Sequence, residues 1–143
     1  MIEIKFRGKL KETGKWIYGY LIKGKYCYIL TKDDFYNAVV SINGHMSTSV
    51  NIVIPESVGQ YIGICDDTND KNNLYSGDII SYYNSYSDKT YIGVIKYDER
   101  QCCFAIFDKY TDEWERECDW MKIKNVKKLG NIFDNPELLM EEK

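Results

Sequence analysis

With 143 residues, 44% of them hydrophobic and 29% charged, the chain has the balance of an ordinary globular protein and can bury a core without disulfides or metals. A formal net charge of −3, with lysines and arginines spread along the chain, excludes a phosphate-binding surface covering the whole molecule and leaves room for a local basic patch. The 13 tyrosines and 15% aromatic content favour strands and half-buried sheet surfaces.

The opening Met1-Ile2-Glu3-Ile4-Lys5-Phe6 has no apolar core of signal-peptide length, and no apolar run is long enough for a membrane helix. A soluble protein that stays in the cytoplasm is expected. Five cysteines, at 27, 65, 102, 103 and 118, make an odd count without framework spacing, so reduced thiols and no disulfide are expected.

In chain order, Ile2, Ile4 and Phe6 alternate with Glu3, Lys5 and Arg7, the period of a strand with one buried face. Polar residues to Lys15, with Thr13-Gly14 near their end, form a turn into a second, more buried strand over Trp16–Ile22. Lys23-Gly24 turns the chain again into Tyr26–Leu30, so the N-terminus reads as a meander. Thr31 to Ser41 fits an irregular segment with a helical turn and fits a strand as well. Ile42 to Ser49 holds Asn43-Gly44 and small polar residues, as in an exposed loop. Val50, Ile52 and Ile54 alternate in a strand ended by Pro55, which lacks the ladder donor.

Val53 to Tyr83 organises the chain: apolar runs at Tyr61–Cys65 and Leu74–Ile80 flank the polar octet Asp66–Asn73. The runs read as strands and the octet as a loop, while Gly77 between Ser76 and Asp78 reads as a positive-φ turn into an Asp78–Tyr83 strand. Tyr91–Tyr97 follows, with Gly93 placed as at a bulge or barrel corner, then Cys102–Phe107. Trp114–Ile123 has no clean period. Val126, Leu129, Ile132 and Phe133 close the sheet around Gly130, and Pro136 opens a short helical tail.

The blocks FRGK (Phe6–Lys9), WIYGY (Trp16–Tyr20), VGQYIGICDD (Val58–Asp67), LYSGDII (Leu74–Ile80), GVIKYD (Gly93–Asp98) and GNIFDNPELL (Gly130–Leu139) resemble, in this order, the pattern of the YopX family of phages and prophages. The resemblance implies a small, mainly β phage accessory protein and brings no catalytic residue with it. Where the family more often shows a Lys-Gly type turn, the octet here is rich in Asn and Asp. Separately, Leu74 to Phe133 resembles an SH3-like small barrel, a fold that mostly binds protein or RNA.

Candidate chemistry is sparse. His45, the one histidine, lies beside Ser47, Thr48 and Ser49, but no orienting group or oxyanion donor accompanies it. Cys102 and Cys103, adjacent on a strand, point to opposite faces and cannot share a metal. Asp66, Asp67, Asn69 and Asp70 concentrate oxygen ligands, yet the calcium-loop pattern started at Asp67 puts Lys71 at a ligand position and Asn72 at the required glycine, so an Asx-rich turn is expected. The strip Glu113, Glu115, Glu117 and Asp119 reads as a solvated face, with glycoside chemistry as its sharper alternative. Trp16, Tyr18 and Tyr20 alternate as an aromatic row that reads first as core or sheet-surface packing, with gripping a peptide or stacking bases as the sharper alternative, which lacks the interleaved arginines that would meet phosphates.

The expected architecture is mainly β in two connected substructures, a meander over 1–65 and an SH3-like barrel over 66–135, with a short helix over 136–143. The expected function is that of a non-catalytic phage or prophage module in the bacterial cytoplasm, binding a host or phage macromolecule, protein before nucleic acid, and self-associating weakly. Trp16, Tyr18, Tyr20, His45, Asp67, Asn69 and Asp70 are its candidate binding residues, with no metal and no cofactor. The alternative is a small hydrolytic or nuclease-like enzyme using His45 or the Glu113–Asp119 strip.

Overall fold

The computed structural model describes residues 1–34, 51–108, 116–117 and 120–140. These form two antiparallel sheets with short 3-10 turns and no closed barrel, and no described helix is long and apolar enough to cross a membrane. The chain divides into two compact units, Met1–Tyr61 and Ile62–Lys143.

In the first unit, β1 (Phe6–Lys9), β2 (Trp16–Lys23), β3 (Cys27–Leu30), β4 (Ile52–Val53) and the start of β5 (Gly59–Cys65) are ordered β4-β3-β2-β1-β5. The expected N-terminal alternation is corrected here: Ile2 and Ile4 are exposed, and the strand begins only at Phe6, where Gly19 and Gln60 become available as partners on either side. Alternation proposes a strand, but paired neighbours decide where it starts. The turn before β2 has Gly14 at φ 71, a conformation that costs glycine little. Ile29 and Val53 are fully buried in this unit, and Gly8 lies so close that a Cβ there would stand 2.9 Å from Val53. Gly19 is tighter still, because a Cβ would meet the Leu30 carbonyl at 1.9 Å, so glycine is what lets β2 and β3 pair. An isolated bridge joins Leu10 to Val53, and Pro55–Ser57 forms a 3-10 turn. No residue of β2 is fully buried, contrary to the reading of Trp16–Ile22 as a more buried strand; one face packs inward and the other carries aromatics outward.

In the second unit the far half of β5 pairs with β6 (Asn73–Tyr75), and a five-stranded sheet runs β10-β9-β8-β7-β11, from β7 (Asp78–Asn84), β8 (Lys89–Asp98), β9 (Cys103–Asp108), β10 (Arg116–Glu117) and β11 (Ile123–Asn131). Leu74, Ile80, Tyr82, Ile95, Ile106, Ile123 and Val126 form its core, with Ile62, Tyr91, Phe104 and Trp120 packed against them. Tyrosines serve the sheet as cross-strand pairs: Tyr82 stacks on the opposite Tyr91 at 5.8 Å, and Tyr97 meets Phe104 edge-on at 5.3 Å. Trp120 Nε1 donates to the Phe104 carbonyl at 3.1 Å.

Among the described residues no ladder joins β10 to β11, so the sheet is open where a barrel was expected. Closure needs a staggered ladder between the two end strands, and the paired residues of β10 are both opposite β9. The tail over Pro136–Leu139 is a four-residue 3-10 turn with proline in its first turn. Gly77 has φ 91, the positive value that the Ser-Gly-Asp turn requires. Gly93 sits in unbroken register, not at a bulge; it admits close approach to β9, since a Cβ would lie 2.5 Å from Ile106. The irregularities fall instead in β11, between Lys124 and Lys127 and between Lys128 and Gly130, with Asn125 at φ 55. Cys102 is in a turn at φ 54 and only Cys103 enters β9, so the two do not share a strand.

Candidate binding face and a structural carboxylate pair

The β1–β2 register places Lys9 opposite Trp16 and Arg7 opposite Tyr18. Residues directly opposite in an antiparallel ladder share a face, so the odd-numbered cations of β1 flank the even-numbered aromatics of β2. The Arg7 guanidinium lies 5.0 Å from the centre of the Trp16 ring, Lys9 Nζ 5.8 Å from the same ring, and Lys5 Nζ 5.9 Å from Tyr18. These are cation–π distances. Arg7 is buried, whereas Tyr18 and Tyr20 are 46% and 42% exposed. On β3 the same face carries Tyr28, opposite Ile22, and Tyr26 meets Tyr28 edge-on at 6.3 Å with Lys25 Nζ 5.6 Å from its ring. Glu3, Ile4, Lys5, Tyr18, Tyr20 and Lys32 line a shallow depression of about 160 Å³.

Trp16, Tyr18 and Tyr20 are therefore brought together on one face, as their alternation implies, and they are joined by three residues that reading each strand alone did not select: Lys5, Arg7 and Lys9. The signal was available in the two-residue spacing of those cations and in the short turn that fixes the register. Arginine is missing from the aromatic row because it stands on the neighbouring strand.

The acidic residues of the octet have a different role. Asp66 is almost wholly buried. Its carboxylate accepts from Thr68 Oγ1 at 2.7 Å, from the Asn72 N–H at 2.9 Å, from Asn72 Nδ2 at 3.1 Å and from the Lys128 N–H at 3.2 Å. Burial pushes its pKa up, but the hydrogen bonds from Thr68, Asn72 and Lys128 together outweigh that and lower it to about 2. Asp67 exchanges two bonds with Val126, its N–H donating to the carbonyl and its Oδ2 accepting the N–H, both at 2.8 Å. This pair staples the octet onto the irregular stretch of β11, so Asp67 is occupied by backbone. Asn69 and Asp70 are exposed on the loop. No group of three or more His, Cys, Asp or Glu among the described residues is arranged to hold a metal ion.

A second buried carboxylate, Asp78, follows Gly77. It accepts the Tyr75 N–H at 2.8 Å and lies 3.3 Å from Lys128 Nζ, closing the β6–β7 turn on β11. Cys27, Cys65, Cys102 and Cys103 are free thiols. His45 and Cys118 lie outside the described residues, as do Ser47, Thr48, Ser49, Glu113, Glu115 and Asp119 of the two catalytic alternatives.

No curated protein matches the chain. Residues 5–140 match the family model described as YopX protein, over nearly the whole length. The chain belongs to the YopX family.

Proposed function

We propose that this YopX protein is a non-catalytic binding module, an accessory protein of a phage or prophage that acts in the host cytoplasm through the outward face of β1, β2 and β3. The observation that carries the reading is the interleaving of Lys5, Arg7 and Lys9 with Trp16, Tyr18 and Tyr20, which concentrates exposed aromatic area and positive charge in one place. Tyrosines that serve only packing are paired inward, as Tyr82 and Tyr91 are; Tyr18 and Tyr20 keep more than two-fifths of their surface in water. Exposed aromatics next to cations supply large contact area at low entropic cost, the composition typical of binding hot spots.

The SH3-like reading of the second unit is retained as a proposal on its strand order, in which β11 returns beside β7 after the β7-β8-β9 meander. Its role is that of a scaffold, with the octet and β11 fixed by Asp66, Asp67 and Asp78.

The test compares capture of partners from infected-host lysate by the tagged protein and by a Tyr18→Ala/Tyr20→Ala variant. The double variant is expected to fold with an unchanged far-UV spectrum and to lose most of the captured material. A normally folded His45→Ala variant that abolishes activity, with the tyrosine variant unaffected, would overturn the reading in favour of the hydrolytic one.

A further inference from the structure

We infer that the β1–β3 face takes single-stranded nucleic acid, its bases stacked on Tyr18 and Tyr20 and its phosphates met by Lys5, Lys9 and Lys25; the inference rests on the binding reading above and names the partner class. Charge complementarity is the first support. Residues 1–34 hold seven lysines and Arg7 against Glu3, Glu12, Asp33 and Asp34, a local balance of +4 in a chain whose total is −3. The positive balance that the overall charge leaves room for thus falls in the stretch that carries the exposed aromatics, in the strands and in the turns that join them, and an acidic or polyanionic partner fits it. Glu3, at the edge of the depression beside Tyr18 and Tyr20, is the one acid lining it, and Lys5 and Lys32 line it too.

Ring spacing separates a single strand from a duplex. Tyr18 and Tyr20 are two positions apart on one strand and so stand roughly 6.7 Å apart along it. Stacked bases in one strand of a duplex are separated by about 3.4 Å. Successive bases can occupy both rings only if they are unstacked from one another, which a single strand permits and a duplex does not. A peptide would use the aromatic area but has no general need of the lysines; phosphates need them.

The experiment is fluorescence anisotropy of labelled oligo(dT) and oligo(rU), each about 12 nucleotides long so that one face is spanned, against the full chain and its variants. Binding is expected to weaken as salt rises. Tyr18→Ala and Tyr20→Ala should each weaken it on the order of tenfold, within the range for loss of one stacked base. Lys5→Gln should lower the slope of log affinity against log salt by about 0.7, one phosphate contact to a single strand. Tyr86→Ala, which removes an exposed ring with Lys122 Nζ 4.9 Å away in the second unit, should leave binding unchanged. Equal affinity for a duplex of the same length would overturn the stacking assignment. No oligonucleotide binding, with Tyr18/Tyr20-dependent protein capture intact, would overturn the nucleic-acid inference and leave the binding module standing. Loss of dependence on these tyrosines in both assays would remove both.

Discussion

Asp78→Ala is expected to destabilise the second unit by about 3–5 kcal/mol, the cost typical of breaking a buried ion pair from one side. The carboxylate is fully buried, accepts the Tyr75 N–H across the glycine turn and pairs with Lys128 on β11. Alanine takes away the acceptor of a buried backbone donor and the counter-charge of a lysine that is itself three-quarters covered, and each loss carries its own desolvation cost. Asp78→Asn keeps an acceptor for Tyr75 and loses only the charge, so it should fall between wild type and alanine. Urea denaturation followed by far-UV circular dichroism measures the difference, and an Asp78→Ala protein within 1 kcal/mol of wild type, about the net worth of a single hydrogen bond, would show that the turn is held by other contacts.

Asp66→Ala should cost about 3 kcal/mol at neutral pH, because the N–H groups of Asn72 and Lys128 and the Thr68 hydroxyl all lose the one buried carboxylate that accepts from them. The same carboxylate sets an acid limb. Its folded pKa of about 2 lies below the ordinary 3.8, so its ionised form is preferred in the folded state. That contribution is complete above 3.8 and is lost as pH falls through about 2, amounting to roughly 2–3 kcal/mol. Wild-type stability is therefore expected to drop by about that amount more than the Asp66→Ala variant does as pH falls from well above 3.8 to well below 2. Parallel stability profiles for the two proteins across this range would contradict the assignment.

Much of the fold was legible because its strands are short Ile- and Tyr-rich runs bounded by glycine. β3, β7 and β9 lie within a residue or so of where those runs place them, and the left-handed Gly77 follows from apolar residues on both sides of Ser-Gly-Asp. What failed shares a cause, dependence on a partner distant in sequence. Ile2 and Ile4 alternate like strand residues, but nothing pairs with them in a described ladder, so the alternation carried no burial. Gly93 looked like a bulge because a glycine in a strand permits either a bulge or a close neighbour, and only the position of Ile106 decides between them. Cys102 gave no local sign of its left-handed turn, since it is neither Gly nor Asn.

The site was half legible for the same reason. Period two within one strand grouped Trp16, Tyr18 and Tyr20, whereas the cations that alter their meaning belong to the strand before, across the hairpin. The octet shows the reverse. Its composition concentrates oxygen ligands while its register favours an Asx-rich turn, and neither shows the distant partner: the structure turns Asp66 and Asp67 onto the β11 backbone.

The most direct measurement is the two-dimensional ¹H–¹⁵N spectrum of the labelled protein titrated with oligo(dT). The account predicts shifts concentrated in Phe6–Lys9, Trp16–Lys23 and Cys27–Leu30, together with the Trp16 indole N–H, and unmoved signals from β8 and β9. Shifts confined to the octet and the second sheet, or none at all at protein concentrations where partner capture succeeds, would contradict it.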